Sequence, residues 1–337
     1  MSRFVPLRWL PLLSLLLISP VARARAATDS AQDALNQGRA DEAARLLHTR
    51  LSANPHDAYA RQLLCRVFYS EEMADAGIAE CQAAVADAPD SSEDQMWLGR
   101  AYGMKAETAN PISAFRLARK VVAAFEQAVA LDPRNVAALS DLGEYYVAAP
   151  AIVGGGLDRA RRLAERTMAV SPSKAHRILA MAAEKNADTA TAEAEFRRAV
   201  EAQPSPASAV AAWVDLAAFY QRNQKIDACV AAVETAVRLD RARDASLVDA
   251  ASILTDAGRS PELARRLLSM YLESPARSDA APVARVRVQL GDLLRKSGDP
   301  AGARREYQAA LELAANYAPA QKAIKALGEA PPAKAIP

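Results

Sequence analysis

Apolar and small residues along this chain recur at helical spacing, and the helical stretches come in pairs. One pair reads from Tyr59 to Pro89, with Leu64 and Phe68 in its first half and Cys81, Ala84 and Pro89 in its second. Others run from Leu98, Gly99 and Tyr102 to Phe125, Ala128 and Pro133, and from Trp213, Leu216 and Tyr220 to Cys229, Val233 and Ala236. The last runs from Leu290 and Gly291 through Gly298 and Ala303 to Tyr307 and Ala310. The pairs repeat at about 34 residues, a period that specifies stacked supersecondary units rather than one globular core.

The first unit shows how each pair is built. Ala31 and Ala34 belong to a helix A, Gly38 to the turn, and Ala43, Leu47 and Leu51 to a helix B that Pro55 ends. Leu47 and Leu51 are one helical turn apart and stack on one face, while the alanines let the two helices approach closely. Proline lacks an N–H and cannot continue the helix, so it sets the turn into the next unit.

The pattern gives about eight such units. Their spans are 28–57, 58–91, 92–135, 136–172, 173–205, 208–241, 244–277 and 284–316, and a last helix from Ala318 to Leu327 is expected to cover the exposed end. The seventh unit departs from the pattern, with Leu254 where an aromatic is usual and Leu263 where alanine is usual. Two units carry extra residues. Gly103 to Arg116 lengthens the third between its helices, and Val147 to Gly156 lengthens the fourth. In a solenoid, insertions are expected to form loops along one edge, often a binding edge.

These units resemble the tetratricopeptide repeat family. Leu98, Gly99 and Tyr102 match its helix A signature, as do Leu142, Gly143 and Tyr146, and Trp213, Leu216, Ala217 and Tyr220. Helix B matches are Ala192, Phe196, Ala199 and Pro204, and Ala303, Tyr307 and Ala310. The resemblance implies an all-α, right-handed α-solenoid of tetratricopeptide-like helix-turn-helix repeats over residues 27–328, and binding rather than catalysis. In the family, the inner helices A line a concave groove. Transferred by register, the groove residues here are Tyr59, Gln62, Arg66 and Tyr69, then Met96 and Arg100, Glu144, and Asp292, Arg295 and Lys296. That mixture suits an extended peptide or protein segment, against the alternative of an ordinary hydrated surface. The family's Lys/Asn/Arg clamp for acidic C-terminal peptides is not complete here, so that ligand does not carry over.

Composition agrees with closely packed helices: 51% of residues are apolar but only 5% aromatic. The formal net charge is +2, from 42 basic and 40 acidic residues, so nothing electrostatic points to nucleic acid. The N-terminus reads as a secretory signal peptide. Arg3 and Arg8 precede an apolar run from Leu10 to Ile18, Pro20 breaks it, and Ala24-Arg25-Ala26 fits the small-x-small cleavage rule. The run is shorter than the roughly 20 residues that span a bilayer, although a retained anchor is the alternative. Cleavage after Ala26 would leave 38 basic and 40 acidic residues and a periplasmic or secreted chain. Residues 329–337, rich in Pro and Ala, are expected to be a disordered tail.

An exported chain meets oxidising conditions, which gives the cysteines meaning. Cys65 and Cys81 fall on helices A and B of one unit at facing positions, so a disulfide is expected, with two buried thiols as the alternative. Cys229 stands where alanine is usual and reads as a buried small residue. His48, His56 and His176 have no metal-ligand spacing, and no cofactor is expected. Gly154-Gly155-Gly156 is not followed by the Lys-Ser or Lys-Thr of a phosphate loop, which leaves a turn before a helix starting near Leu157, or a partner-contacting loop with Pro150, Ile152 and Val153. Arg161-Arg162, Arg197-Arg198, Arg265-Arg266 and Arg304-Arg305 read as solvated outer faces.

The reading that follows is a non-enzymatic scaffold of the bacterial cell envelope, binding a protein or peptide in the groove or on the loop edge. A second reading is an enzyme or ligand-binding protein with a site on the two insertions, which requires Glu107, Asn110, Asp141 and Glu144 to converge near the glycine loop. A third is a structural role in a homo-oligomer.

Overall fold

The computed structural model describes residues 30–329, all α-helix, short 3-10 segments and turns, with no strand among the described residues. The expected signal peptide and cleavage site lie outside the described residues, as does nearly all of the expected tail. The helices form eight antiparallel pairs. They are α1 (30–36) with α2 (Ala40–Ala53), α3 (Ala58–Ser70) with α4 (Ala74–Asp87), α5 (Ser92–Thr108) with α6 (Pro111–Leu131), and α7 (Val136–Ala148) with α8 (Leu157–Thr167). Then come α9 (Pro172–Lys185) with α10 (Thr189–Glu201), α11 (Val210–Arg222) with α12 (Ile226–Leu239), α13 (Ser246–Asp256) with α14 (Pro261–Leu272), and α15 (Val283–Lys296) with α16 (Pro300–Leu313). A single helix, α17 (Ala318–Glu329), follows.

Six of the eight pairs turn in the same way. The second residue after helix A takes a positive φ: Gly38, Glu72, Ala187, Gln224, Gly258 and Gly298. The next N–H then reaches back five residues to a helix A carbonyl, as Arg39 does to Ala34 and Asp299 to Leu294. This closes the helix end with its carbonyls satisfied. The third and fourth pairs, which carry the extra residues, turn differently. In the third, Asn110 accepts the Ser113 N–H and Pro111 opens α6. In the fourth, a 3-10 turn over Ala151–Val153 leads to Gly154, and the Gly156 N–H bonds back to the Tyr146 carbonyl.

The third insertion is therefore not a loop. Residues 103–108 extend α5 and residues 111–116 extend α6, leaving only a tight two-residue turn. An asparagine cap followed by proline is a start signal, so the chain spends its extra residues on helix. The fourth insertion is a loop, but an anchored one. The Tyr145 hydroxyl lies 2.7 Å from the Ala118 carbonyl and 2.8 Å from that of Val153, and Val153 is buried. Only Ile152 projects from it as an exposed large apolar side chain.

Small residues set the spacing within and between pairs. A methyl added at Gly99 would stand 2.5 Å from the Phe125 ring, and one at Gly291 would stand 2.4 Å from Tyr307. Hydrogen at those positions lets an aromatic ring of helix B lie directly on the helix A backbone. Consecutive odd-numbered helices from α3 to α13 touch one another, whereas consecutive even-numbered helices make little contact. The odd helices thus form the inner circumference and the even helices the outer one.

The two ends of the superhelix meet. Ala31, Ala34, Leu47 and Leu64 of the first two pairs share one buried cluster with Ala284, Ala310, Tyr317 and Ala320. Gly38 packs against Val283 so closely that any side chain there would clash. The Asp41 carboxylate accepts the Ala315 N–H at 3.0 Å. As expected, α17 packs on α15 and α16, but the end it covers is not otherwise free: the first pair packs there too, and the solenoid closes on itself.

Near this seam lies Glu71, at the end of α3. It is 5% exposed, and its Oε1 accepts no hydrogen bond among the described residues. Burial, with the Asp41 charge nearby, pushes its carboxyl from 4.5 up to about 7. Folding therefore favours the protonated form. Below about pH 4.5 the group costs nothing, because both states are protonated; the penalty grows as pH rises towards 7 and persists above it. Glu71→Gln is expected to leave stability near pH 4.5 almost unchanged and to raise it by up to about 3 kcal/mol at pH 8. Urea denaturation of both proteins at the two pH values measures this, and an equal difference at both would contradict it.

Candidate functional site

The inner face is lined by α3, α5, α7, α9, α11, α13 and α15, and its charges are largely paired with one another. Arg66 makes two parallel hydrogen bonds to Asp279, at 2.7 and 3.0 Å, across the seam. Arg66 and Arg100 both stack on the Trp97 ring, at 5.1 and 4.6 Å, with Tyr69 edge-on to it. Arg100 bonds Asp141 at 2.6 Å. Further along, Arg177 bridges Asp215 at 3.0 Å and Glu144 at 3.2 Å. Burial alone would lower the Arg177 pKa, but the two carboxylates outweigh it and leave it raised. The Asp141 carboxyl is raised by burial despite Arg100, and that of Asp249 by burial and by the Asp215 and Asp244 charges. These charge-assisted pairs fix the arginine side chains on the inner wall.

The expected groove residues divide on this geometry. Gln62 is 2% exposed and Met96 is 5% exposed; both are covered by neighbouring helices and cannot reach a ligand. Gln62 instead lies beside Asp94 of the next pair, a carboxyl that burial raises to about 6 although Ser91 and Gln62 act to lower it. Arg66 is committed to Asp279, so it belongs to the seam rather than to an open binding surface. Tyr59 is exposed on α3, and Glu144 remains 60% exposed beside Arg177. Asp292 accepts the Tyr307 hydroxyl at 2.7 Å with Arg295 at 3.8 Å, and with Lys296 it borders a small recess against α13 and α14.

Glu107, Asn110, Asp141 and Glu144 do not form one cluster around the glycine loop. Asn110 caps α6, Asp141 holds Arg100, Glu144 faces Arg177, and Glu107 borders a recess at the seam with Tyr69, Glu72, Met104 and Arg285. Among the described residues, no group of three or more His, Cys, Asp or Glu is placed to hold a metal ion. His56 and His176 each meet a single carboxylate, Asp87 and Glu195, at 2.7 Å.

The concavity best suited to a ligand lies where α7, α9 and α11 meet. Its volume is about 510 Å³. Val147, Met181 and Ala218 supply an apolar lining, and Glu144, Arg177, Glu184, Lys185, Asp215 and Arg222 surround it. Arg222 pairs with Glu184 in a two-bond contact at 2.8 and 3.0 Å. Lys185 is exposed, and among the described residues no hydrogen bond or ion pair occupies its ammonium. An apolar base rimmed by charges of both signs suits a peptide side chain and its flanking backbone. Neither Met181 nor Arg222 was among the expected groove residues, although both follow from extending the helix A register by one turn beyond Arg177 and Ala218.

Cys65 and Cys81 are bonded to each other, joining α3 to α4 with a Cα–Cα distance of 5.3 Å. Cys229 is buried and free. Among the described residues, no helix is long and apolar enough to cross a membrane.

Tetratricopeptide repeat family models match residues 34–100, 151–209 and 284–317. No curated protein matches the sequence. Among solved structures, yeast Tom70 aligns over 95% of this chain and 66% of its own, with 15% identity and a TM-score of 0.54. A tetratricopeptide repeat protein of Parabacteroides merdae aligns over 90% of this chain and 98% of its own, at 12% identity and a TM-score of 0.47. A thermophilic protein of the same repeat class from Thermus thermophilus aligns over 64% of this chain and 99% of its own, at 18% identity and a TM-score of 0.46. The Tom70 likeness is one of fold.

Proposed function

Because this chain is a solenoid of tetratricopeptide repeats, we propose that it is a non-enzymatic scaffold that holds a segment of another protein against its inner face. Proteins of this repeat class generally bind protein partners. The observation that carries the reading is the concavity between α7, α9 and α11, which joins an apolar base of Met181 and Ala218 to a rim of mixed charge. An extended peptide with one apolar anchor and flanking charges of both signs matches it. The near balance of basic and acidic residues argues against nucleic acid as the partner. The N-terminal sequence, with Arg3, Arg8, the Leu10–Ile18 run and Ala24-Arg25-Ala26, supports export and a role in the bacterial cell envelope. A disulfide between Cys65 and Cys81 is compatible with that compartment.

The test is affinity capture from native envelope material with the chain from Ala27 onward, beside Ala218→Trp, which fills the concavity without changing any charge. A protein retained by the wild type and lost by the variant supports the reading. A partner retained equally by both would place binding elsewhere, on the exposed Ile112, Phe115 and Ile152 of the lengthened third and fourth pairs.

A further inference from the structure

The seam between the first two pairs and the last differs from the other junctions in the molecule. Successive pairs are joined covalently and pack helix against helix. Across the seam α2 packs against α16, and Ala31, Ala34 and Leu47 share a buried cluster with Ala284, Ala310 and Tyr317. Charged side chains from both ends bridge it as well. Arg66 grips Asp279, which stands on the segment between α14 and α15. Glu72 meets Arg285 at 3.3 Å and the Tyr317 hydroxyl at 3.1 Å. Glu72 also stands at a positive-φ turn position where the first, seventh and eighth pairs have glycine, a conformation unfavourable for a side chain.

A solenoid is compliant because each unit contacts only its neighbours, so small rotations between pairs add up over its length. No chain segment links the two sides of the seam, so it is the place where such a closed turn parts first. While it is closed, Arg66 and Trp97 are pinned at the inner wall and access to the inner face is narrowed.

We propose that the Arg66–Asp279 and Glu72–Arg285 pairs form a latch, and that its release opens the closed turn and admits a partner to the inner face. This rests on the inner face being the binding surface. The expected consequence for variants is simple. Arg66→Glu sets two carboxylates against each other, as does Arg285→Glu opposite Glu72, and each reversal opens the turn. The swaps Arg66→Asp with Asp279→Arg, and Glu72→Lys with Arg285→Glu, restore opposite charges and close it again.

Small-angle X-ray scattering of the chain from Ala27 onward reads the outcome without any partner. A compact chain of this size has a radius of gyration near 19 Å, and opening is expected to raise the measured radius by roughly a tenth, with a longer maximum dimension. Both swaps should return to the wild-type curve, and circular dichroism should show equal helix content throughout. Single reversals that scatter like the wild type would overturn the latch, as would swaps that stay open or a wild type that already scatters as an open turn. Opening by the reversals without any partner lost on Ala218→Trp would uphold the latch and refute the binding surface. The converse pair of results would do the opposite. Arg285→Glu, on a half-exposed side chain, keeps the test usable if Arg66→Glu does not fold.

Discussion

Tyr271→Ala should be the most damaging single substitution, costing about 4 kcal/mol. The ring is fully buried in α14, and removing a buried aromatic side chain costs about 3–5 kcal/mol through lost burial and the cavity left behind. Its hydroxyl adds a second role. It lies 2.7 Å from the Ala281 carbonyl and accepts the Ser278 N–H at 3.0 Å, so it folds the segment between α14 and α15 around itself. That segment carries Asp279, the residue that holds Arg66 across the seam. Tyr271→Phe separates the two roles. It keeps the ring and should cost only about 1 kcal/mol, the usual net worth of one hydrogen bond. Yet it should increase hydrogen exchange at the Ser278 amide many-fold. Urea denaturation and amide exchange read the two effects. Unchanged exchange at 278 in Tyr271→Phe would show that backbone packing alone shapes this segment.

Loss of the Cys65–Cys81 bond is the second large effect. The bond closes a loop of about 15 residues, and releasing such a loop gives the unfolded chain entropy worth about 3 kcal/mol. Both residues are almost fully buried, at 0% and 1% exposure, so reductant reaches the bond only after the second pair has opened. The expected result has two parts. Cys65→Ala with Cys81→Ala lowers the denaturation midpoint, and reductant lowers that of the wild type to a similar value under denaturing conditions. In native buffer the wild-type bond survives much longer than a free exposed disulfide would. Equal midpoints with and without reductant would mean that the native pair is held by packing alone. Cys229 forms no bond and, buried in α12, should contribute nothing to this difference.

The eight pairs were legible in the sequence because they are local. Ala43 and Leu47, or Ala303 and Tyr307, act within a single unit, and their spacing repeats often enough to set the helix faces. The third pair is lengthened by helix rather than by the loop expected of an insertion, and the sequence carries the signal: Asn110 followed by Pro111 is how a helix starts. The groove assignment failed at Gln62 and Met96 for a different reason. Register within one pair shows which face helix B covers, but not how far the next helix A overlaps it. The approach of Gln62 to Asp94 crosses that boundary. The Arg66–Asp279 pair was illegible for the plainest reason. Its partners are 213 residues apart, and no periodic signal links them.

The meeting of the ends also bears on how the molecule unfolds. An open array of repeats has two terminal units with one neighbour each, and these fray first and at low cost. Here α1 and α2 share a buried cluster with α16 and Tyr317, so every unit has a neighbour on both sides while the seam holds. A molecule of this kind resembles a barrel hoop more than a stack of plates. Loosening any one stave requires either breaking two junctions or parting the seam, so amide protection should be more level around the hoop while the seam holds, and graded from the middle to the ends once charge reversal opens it.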